Sequence, residues 1–447
     1  MIVPSGVARW VGHVRSFEPD ARRFLAVTLV AGAATSLWWI DFNLYLVSLG
    51  ISPAAIGLVA TIGSTAAALT AIPASVLSDR VGRRLVLACG ATAAIVAALG
   101  LAATSSWLAI VALAALFSAG NAANQVVASP YMSEHSRPDH RSELFALQFA
   151  IGSATSVAAA AIGGVAAGAI AAFIGVPQSS PDTFRLILVF MAVLLAVALA
   201  LVLRLGDDRP SHRGRASVLT AGEPARFPTI RVAHGWSIAR IGMTIHDRGA
   251  FVRLLLPNFL ISVGAGQIIP FLNVFVQAKF GLDVVAHNSA FAVTSLGTMV
   301  AILYQPTLAR RLGRIRSVVI VQGVSITFLV VLGFCPAVWL VILAMGVRNS
   351  LMNAGNPIFN AFAMDQVSPG ERATLAALLS LGWSVGWVVA GAYYATVHAL
   401  VSSFDLSYAI NFVTVIVLYS VGTGLLWRWF SGAEPRPGLA AMAGATD

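Results

Sequence analysis

The sequence predicts an all-α integral membrane protein, with twelve transmembrane helices in two six-helix bundles related by pseudo-two-fold symmetry. Three observations carry that prediction. The 447 residues are 58% hydrophobic and 10% charged, with a mean hydropathy of +0.84, whereas a soluble domain carries about 25% charged residues. Apolar stretches matching the roughly 20 residues a helix needs to cross the hydrocarbon core recur along the chain. Motifs of charge and glycine at the ends of those stretches occur twice, half a chain apart.

Residues 1–23 form an N-terminal tail carrying Arg9, Arg15, Glu18, Asp20, Arg22 and Arg23. The tail has no uninterrupted apolar run or small-residue cleavage site, which argues against a cleaved signal peptide. Trp10, Val14 and Phe17 lie at helical spacing, so a short surface helix and a disordered tail are both open.

The first bundle, 24–204, holds apolar stretches 24–49, 54–77, 85–103, 107–131, 143–174 and 184–204. A polar linker, 205–250, follows, with Arg209, Arg213, Arg215, Arg226, Arg231, Arg240 and Arg248 among Gly, Pro and Ser. The second bundle, 251–430, holds 251–277, 287–308, 317–335, 338–364, 374–399 and 407–430, and 431–447 is a C-terminal tail.

The net charge of +10 and pI near 10.5 would suggest nucleic acid in a soluble protein, so the placement of the basic residues decides. Of the 28 basic residues, all but Arg185, Lys279 and Arg348 fall in the tails, in alternate loops or at the adjoining helix ends. That bias is the positive-inside rule, and it puts both termini in the cytoplasm. Arginines scattered over short loops form no nucleic-acid footprint. The expected location is the plasma membrane, as a multi-pass monomer.

The internal repeat has a fixed register. Leu77-Ser-Asp-Arg-Val-Gly-Arg83 after span two is matched by Leu308-Ala-Arg-Arg-Leu-Gly-Arg314 after span eight, an offset of 231. Glu134 and Arg141, with six residues between them after span four, are matched at the same offset by Asp365 and Arg372 after span ten. Asn121-Ala-Ala-Asn124 is echoed by Asn353-Ala-Gly-Asn356 with a slip of one residue. Six spans is an even number, so the two copies face the same way and are related by an axis along the membrane normal.

From Phe24 to Phe430 the sequence resembles the major facilitator superfamily. That family's loop between helices two and three reads G-x-L-S/A/G-D-R/K-x-G-R-R/K, and Ser75-Val-Leu-Ser-Asp-Arg-Val-Gly-Arg-Arg84 departs from it only at Ser75. The acid, six residues, arginine pattern after helix four is also similar. The resemblance implies a secondary transporter working by alternating access, whose cytoplasmic charge networks latch one face while the cavity opens to the other.

Asp79, Arg80, Gly82, Arg83, Glu134 and Arg141 are the expected latch of the first half, and Arg311, Gly313, Arg314, Asp365 and Arg372 that of the second. Carboxylates and arginines gathered at one membrane face form charge-assisted hydrogen bonds, expected here between the bundles. Gly82 and Gly313 suit tight reversals because glycine takes positive φ cheaply. The bland reading is that the arginines only anchor helix ends and set topology. Arg310 stands where the first copy has Asp79, so Asp365 has Arg311 or Arg314 as its alternative partners.

Well within the spans, histidines aside, only Asp41 and Arg348 carry ionisable charge, and intramembrane charges are functional suspects by default. Both lie roughly 12 to 15 Å deep at 1.5 Å per residue. Three readings of Asp41 stand: a proton-coupling site, a contact for a cationic substrate, and a structural pair with Arg348. Asn349, Asn353, Asn356 and Asn360 fall within an arc of roughly 60° on span ten, with Arg348 about 80° beyond its edge. Asn121 and Gln125, with Ser118 and Asn124, form a looser counterpart on span four. A cavity wall and interhelical hydrogen bonding both account for such amides. Span seven adds Asn258, Gln267, Asn273 and Gln277 around Pro257 and Pro270, prolines that mark bends.

The expected activity is proton-coupled transport of a small solute, as an exporter of an organic or amphipathic compound. Uptake of a polar metabolite by symport or uniport is the alternative, and a non-transporting sensor or scaffold is a third class. The family's drug antiporters carry G-P-x-x-G-G on helix five, and Ala159-Ala-Ala-Ile-Gly-Gly164 keeps only the final pair. The chain has no G-x-x-x-x-G-K-S/T, H-E-x-x-H or suitably placed G-x-S-x-G, so the expectation is no enzyme and no cofactor. Two distant cysteines and the isolated His246, His287 and His398 suggest no metal site.

Overall fold

Proline and glycine punctuate this chain as the sequence places them, and the helices between follow. The computed structural model describes residues 17–135, 141–206, 247–286, 288–294, 313–368 and 371–432. Its helices are α1 (Pro19–Ser48), α2 (Pro53–Val81), α3 (Arg83–Ala103), α4 (Trp107–Glu134), α5 (Arg141–Ile174) and α6 (Pro181–Val202). They continue as α7 (Arg248–Phe280), α8 (described at 284–286 and 288–294), α9 (Arg314–Phe334), α10 (Val338–Asp365), α11 (Arg372–Leu400) and α12 (Phe404–Phe430). Among the described residues there is no strand, and eleven helices are long and apolar enough to cross a membrane. The remaining expected span, 287–308, lies largely outside the described residues. So do the 1–16 tail and most of the linker.

Local chemistry explains the ends. Proline opens α1, α2 and α6, where its missing N–H would lack an intrahelical partner anyway. Ser180 caps α6 by accepting from the Thr183 N–H at 3.3 Å, and Ser403 does the same for α12 from Leu406 at 3.4 Å. Gly82 and Gly313 precede α3 and α9 with φ of 95° and 84°, conformations that a side chain would strain. The α-helical ladder of α7 gives way to a single 3-10 turn at Ile269–Phe271, centred on Pro270. Pro257 sits inside the same helix without such a break.

Two compact units contain the chain. The first is Met1–Phe42, Thr65–Ala159 and Ala169–Trp236; the second is Asn43–Ser64, Ala160–Gly168 and Ser237–Asp447. The cores use close backbone approach and aromatic stacking. In the first unit α3 and α4 cross so tightly that a Cβ at Gly90 would lie 2.7 Å from the Gly120 carbonyl oxygen, and one at Gly120 2.6 Å from that of Gly90. Trp38 stacks between Phe42 and Phe117 with centroids 3.8 and 3.7 Å away, joining α1 to α4.

In the second unit α7 packs on α11 and α12. A Cβ at Gly264 would meet the Tyr419 ring at 2.6 Å, one at Gly266 would meet the Ala390 Cβ at 2.7 Å, and Ser262 donates to the Trp383 carbonyl at 2.7 Å. Small residues at such crossings let backbones approach closely inside a membrane.

The second unit also takes in two pieces of the first half of the sequence. Residues 43–64, the end of α1 and the beginning of α2, lie against α7 and α11. Asn43 Nδ2 donates to the Pro270 carbonyl at the break in α7. A Cβ at Gly57 would lie 2.8 Å from the Ala395 backbone nitrogen, and one at Gly391 2.5 Å from Thr61 Oγ1. Gly164 of α5 approaches Asn288 of α8 at 3.0 Å in the same sense. These contacts fall toward the ends of α1, α2 and α11 remote from the arginine-rich loops.

Candidate functional site

The charged motifs of the basic face become two clasps of one design. Arg83, at the start of α3, donates through Nε and Nη2 to the two carboxylate oxygens of Glu134, at the end of α4, at 2.8 and 2.6 Å. A bidentate guanidinium–carboxylate fork is the strongest geometry such a pair can take. Asp79 Oδ1 lies 3.2 Å from the same Nη2, and Ser78 Oγ accepts from Nη1 at 3.4 Å. The Arg83 side chain is 10% exposed, Glu134 35% and Asp79 59%, so the cation is enclosed while its acids face outward.

The second copy repeats the pair residue for residue. Arg314 at the start of α9 pairs with Asp365 at the end of α10, and Arg372 Nη2 approaches the other oxygen of Asp365 at 4.0 Å. Arg372 also donates through Nε to the Met364 carbonyl at 3.0 Å. Here the groups are about half exposed, at 47% for Arg314 and 52% for Asp365. Each clasp ties neighbouring helices within one unit. Arg80 is exposed, Arg311 lies outside the described residues, and of Arg141 only the backbone is described.

Glu371, which no sequence motif singles out, closes the turn before α11. Its Oε2 accepts from the Ser368 hydroxyl at 2.6 Å and the Ser368 N–H at 3.3 Å.

The pathway candidates divide between the units. In the first, Asp41 is 3% exposed, Asn121 is half-buried and Gln125 is exposed. Asn124 turns to α3, where its Oδ1 would meet a Cβ at Gly90 at 2.5 Å, so it belongs to a helix crossing.

In the second, Arg348 is 3% exposed and donates through Nη2 to the Tyr419 hydroxyl at 2.7 Å, its Cζ 5.5 Å from that ring's centroid. Asn353 Nδ2 donates to the Asn349 carbonyl at 2.9 Å on its own helix. Along α10 exposure falls with distance from the basic face: Asn360 and Asn356 are exposed, Asn353 and Asn349 half-buried. A second polar seam, which the sequence pattern does not reveal, joins α9 to α12 and α10: Thr423 donates to Gln322 Oε1 at 3.1 Å, and Ser325 to Met352 Sδ at 3.2 Å.

Lys279, the single lysine, donates to the carbonyls of Gly333 and Cys335 at 2.9 and 3.0 Å, which completes the C-terminal end of α9.

Helices of membrane-crossing length and a clasp repeated in each unit define a multi-pass membrane protein built on a duplicated plan. The model of the major facilitator superfamily matches residues 24–391, and the chain belongs to that family. Among solved structures, a point mutant of the nucleoside transporter NupG superposes with a TM-score of 0.73 at 14% identity, covering 91% of this chain and 99% of that one. A bacterial homologue of the human lysosomal transporter Spinster, in an inward-facing and occupied conformation, gives a TM-score of 0.67 at 15% identity, covering 91% and 95%. At such identities the likeness is one of fold. No curated protein matches the sequence.

Proposed function

We propose that this secondary transporter moves a small organic solute by alternating access, coupled to protons, in the export direction. The observation that carries the reading is the repeated clasp, Arg83 with Glu134 and Arg314 with Asp365 at the same register of two copies. A duplicated structural device is what two bodies that move as units require. The contacts of 43–64 with α7 and α11 supply an element that separates when the face remote from the arginines opens.

On this reading the basic face is cytoplasmic, both termini lie there and the host is the plasma membrane. Asp41 is the proposed proton-coupling carboxylate, because acids placed within spans are the groups that relay protons across membranes. Gln125, Asn121 and the α10 amides form the proposed wall of the solute route. The clasps are proposed to keep each half stiff while it tilts.

Uptake of a polar metabolite is the second reading, favoured by one observation: Ala159–Gly164 lacks the Gly-Pro of the family's drug antiporters. Everted vesicles under an imposed pH gradient decide between them. Export coupled to protons collapses the gradient only when solute is added outside the everted vesicle. Uptake symport collapses it only with solute loaded inside, and a protein that moves no solute leaves it intact under both loadings.

A further inference from the structure

We propose that Arg348 is the anchoring group of a binding site for a small organic anion, so that the transported solute carries a carboxylate or phosphate. The inference rests on the reading of α10 as pathway wall and names the solute class. A guanidinium keeps its positive charge at any physiological pH, and burying a charge without a counter-charge is costly. Arg348 is 97% buried by the complement of its 3% exposure. Its described partners are the hydroxyl and ring of Tyr419, both neutral. Its Nε–H is buried with no hydrogen-bond partner, and among the described residues of its unit no carboxylate pairs with it.

Tyr419 holds the guanidinium and does not neutralise it. The phenol ring is itself wedged against Gly264, where a Cβ would lie 2.6 Å from it, and is 1% exposed. One edge of the fork is thereby fixed while Nε remains an unused donor. A carboxylate or phosphate matches the geometry of such a fork, and a neutral oxygen supplies no charge.

Access comes along α10 itself. Asn360 and Asn356 are exposed and Asn353 and Asn349 half-buried, a run of amides that reaches the depth of Arg348, which stands about 80° beyond the edge of that face. Amides turned to lipid would be costly, so a run of this kind lines a wet route. The amides serve the uncharged part of the solute, and Arg348 takes its anionic end.

The test uses the purified full-length protein in detergent, with thermal unfolding followed in the presence of a panel of mono- and dicarboxylates and phosphomonoesters. Each anion is paired with the neutral amide, ester or alcohol of the same carbon skeleton. Anions are expected to stabilise the protein and their neutral counterparts not to. In Arg348→Gln the apparent affinity for the stabilising anion is expected to fall by about tenfold or more, the worth of one charge-assisted hydrogen bond, and Arg348→Lys to recover part of it.

Should Arg348→Gln not fold, Tyr419→Phe keeps the shape and loosens the guanidinium, and is expected to weaken the anion by about threefold. The proposal is overturned if only neutral or cationic compounds stabilise the protein, if no anion of the panel does, or if Arg348→Gln or Tyr419→Phe binds the anion as the parent does. Binding without flux in vesicles would instead remove the transport reading and leave the anion site standing.

Discussion

Arg83 and Glu134 face each other through two parallel nitrogen–oxygen contacts, 2.8 and 2.6 Å, that join the start of α3 to the end of α4. The residues 231 positions further on, Arg314 and Asp365, join α9 to α10 through a single nitrogen–oxygen contact. The first pair encloses its arginine and the second leaves it open, and that difference orders the expected effects of mutation.

Glu134→Gln removes the counter-charge from Arg83, a cation whose side chain is 10% exposed. The loss of a hydrogen bond to a charged group corresponds to roughly 1.5–3 kcal/mol. Flux in reconstituted vesicles is expected to fall about tenfold with insertion unchanged, and Asp79→Asn, whose acid is 59% exposed, to lose less. Equal flux in parent and Glu134→Gln would remove any role for the clasp.

In the second copy both groups are about half exposed, where ion pairs contribute about 0–1 kcal/mol. A double-mutant cycle of Arg314→Gln and Asp365→Asn on thermal stability should give a coupling inside that range, and smaller than the cycle of Arg83 with Glu134. A larger coupling in the second copy would contradict the order set by burial.

At Gly57 a side chain would run into the Ala395 backbone at 2.8 Å, a contact no rotamer change relieves. Overpacking of this kind costs about 1–3 kcal/mol. Gly57→Leu is expected to separate 43–64 from α11, so that a cysteine at Thr61 reacts with an impermeant maleimide about tenfold faster. An unchanged labelling rate would show that the crossing does not close this region.

The α10 amides offer a test of which medium they face. Asn356→Leu and Asn360→Leu are expected to lower flux about fivefold with unchanged melting, since each removes a polar contact to solute without touching the core. Higher stability with full flux would place that face against lipid.

How much of the fold and the site is legible in the sequence depends on contrast. Asp79, Arg83, Glu134, Arg314 and Asp365 stand out because charge is rare in the chain, and Gly82 and Gly313 because a reversal between helices needs positive φ. Pro270 marks a real break in its helix, while Pro257 carries the same signal and sits in unbroken helix. Tyr419 is invisible as the partner of Arg348, since a tyrosine in an apolar span reads like any core aromatic.

Gly57, Thr61 and Gly391 are silent for the opposite reason: small residues are common in spans, and only the backbone positions show which of them meet. Asn124 reads as part of a cavity stripe, yet its depth beside Gly90 comes from the α3–α4 crossing, which pattern along one helix does not encode. Arg83 with Glu134 and Arg314 with Asp365 each join the free ends of two helices linked by a short loop, a pairing that the pattern along one helix does not encode.

On the proposed cycle, the contact between α2 and α11 must open and close for a solute to cross. The two native cysteines, Cys89 and Cys335, are free and are readily replaced. In that background, cysteines at Thr61 and Ala395 joined by a reducible cross-linker should abolish solute-stimulated collapse of a pH gradient in vesicles, and reduction should restore it. Undiminished collapse in the fully cross-linked protein would contradict the account.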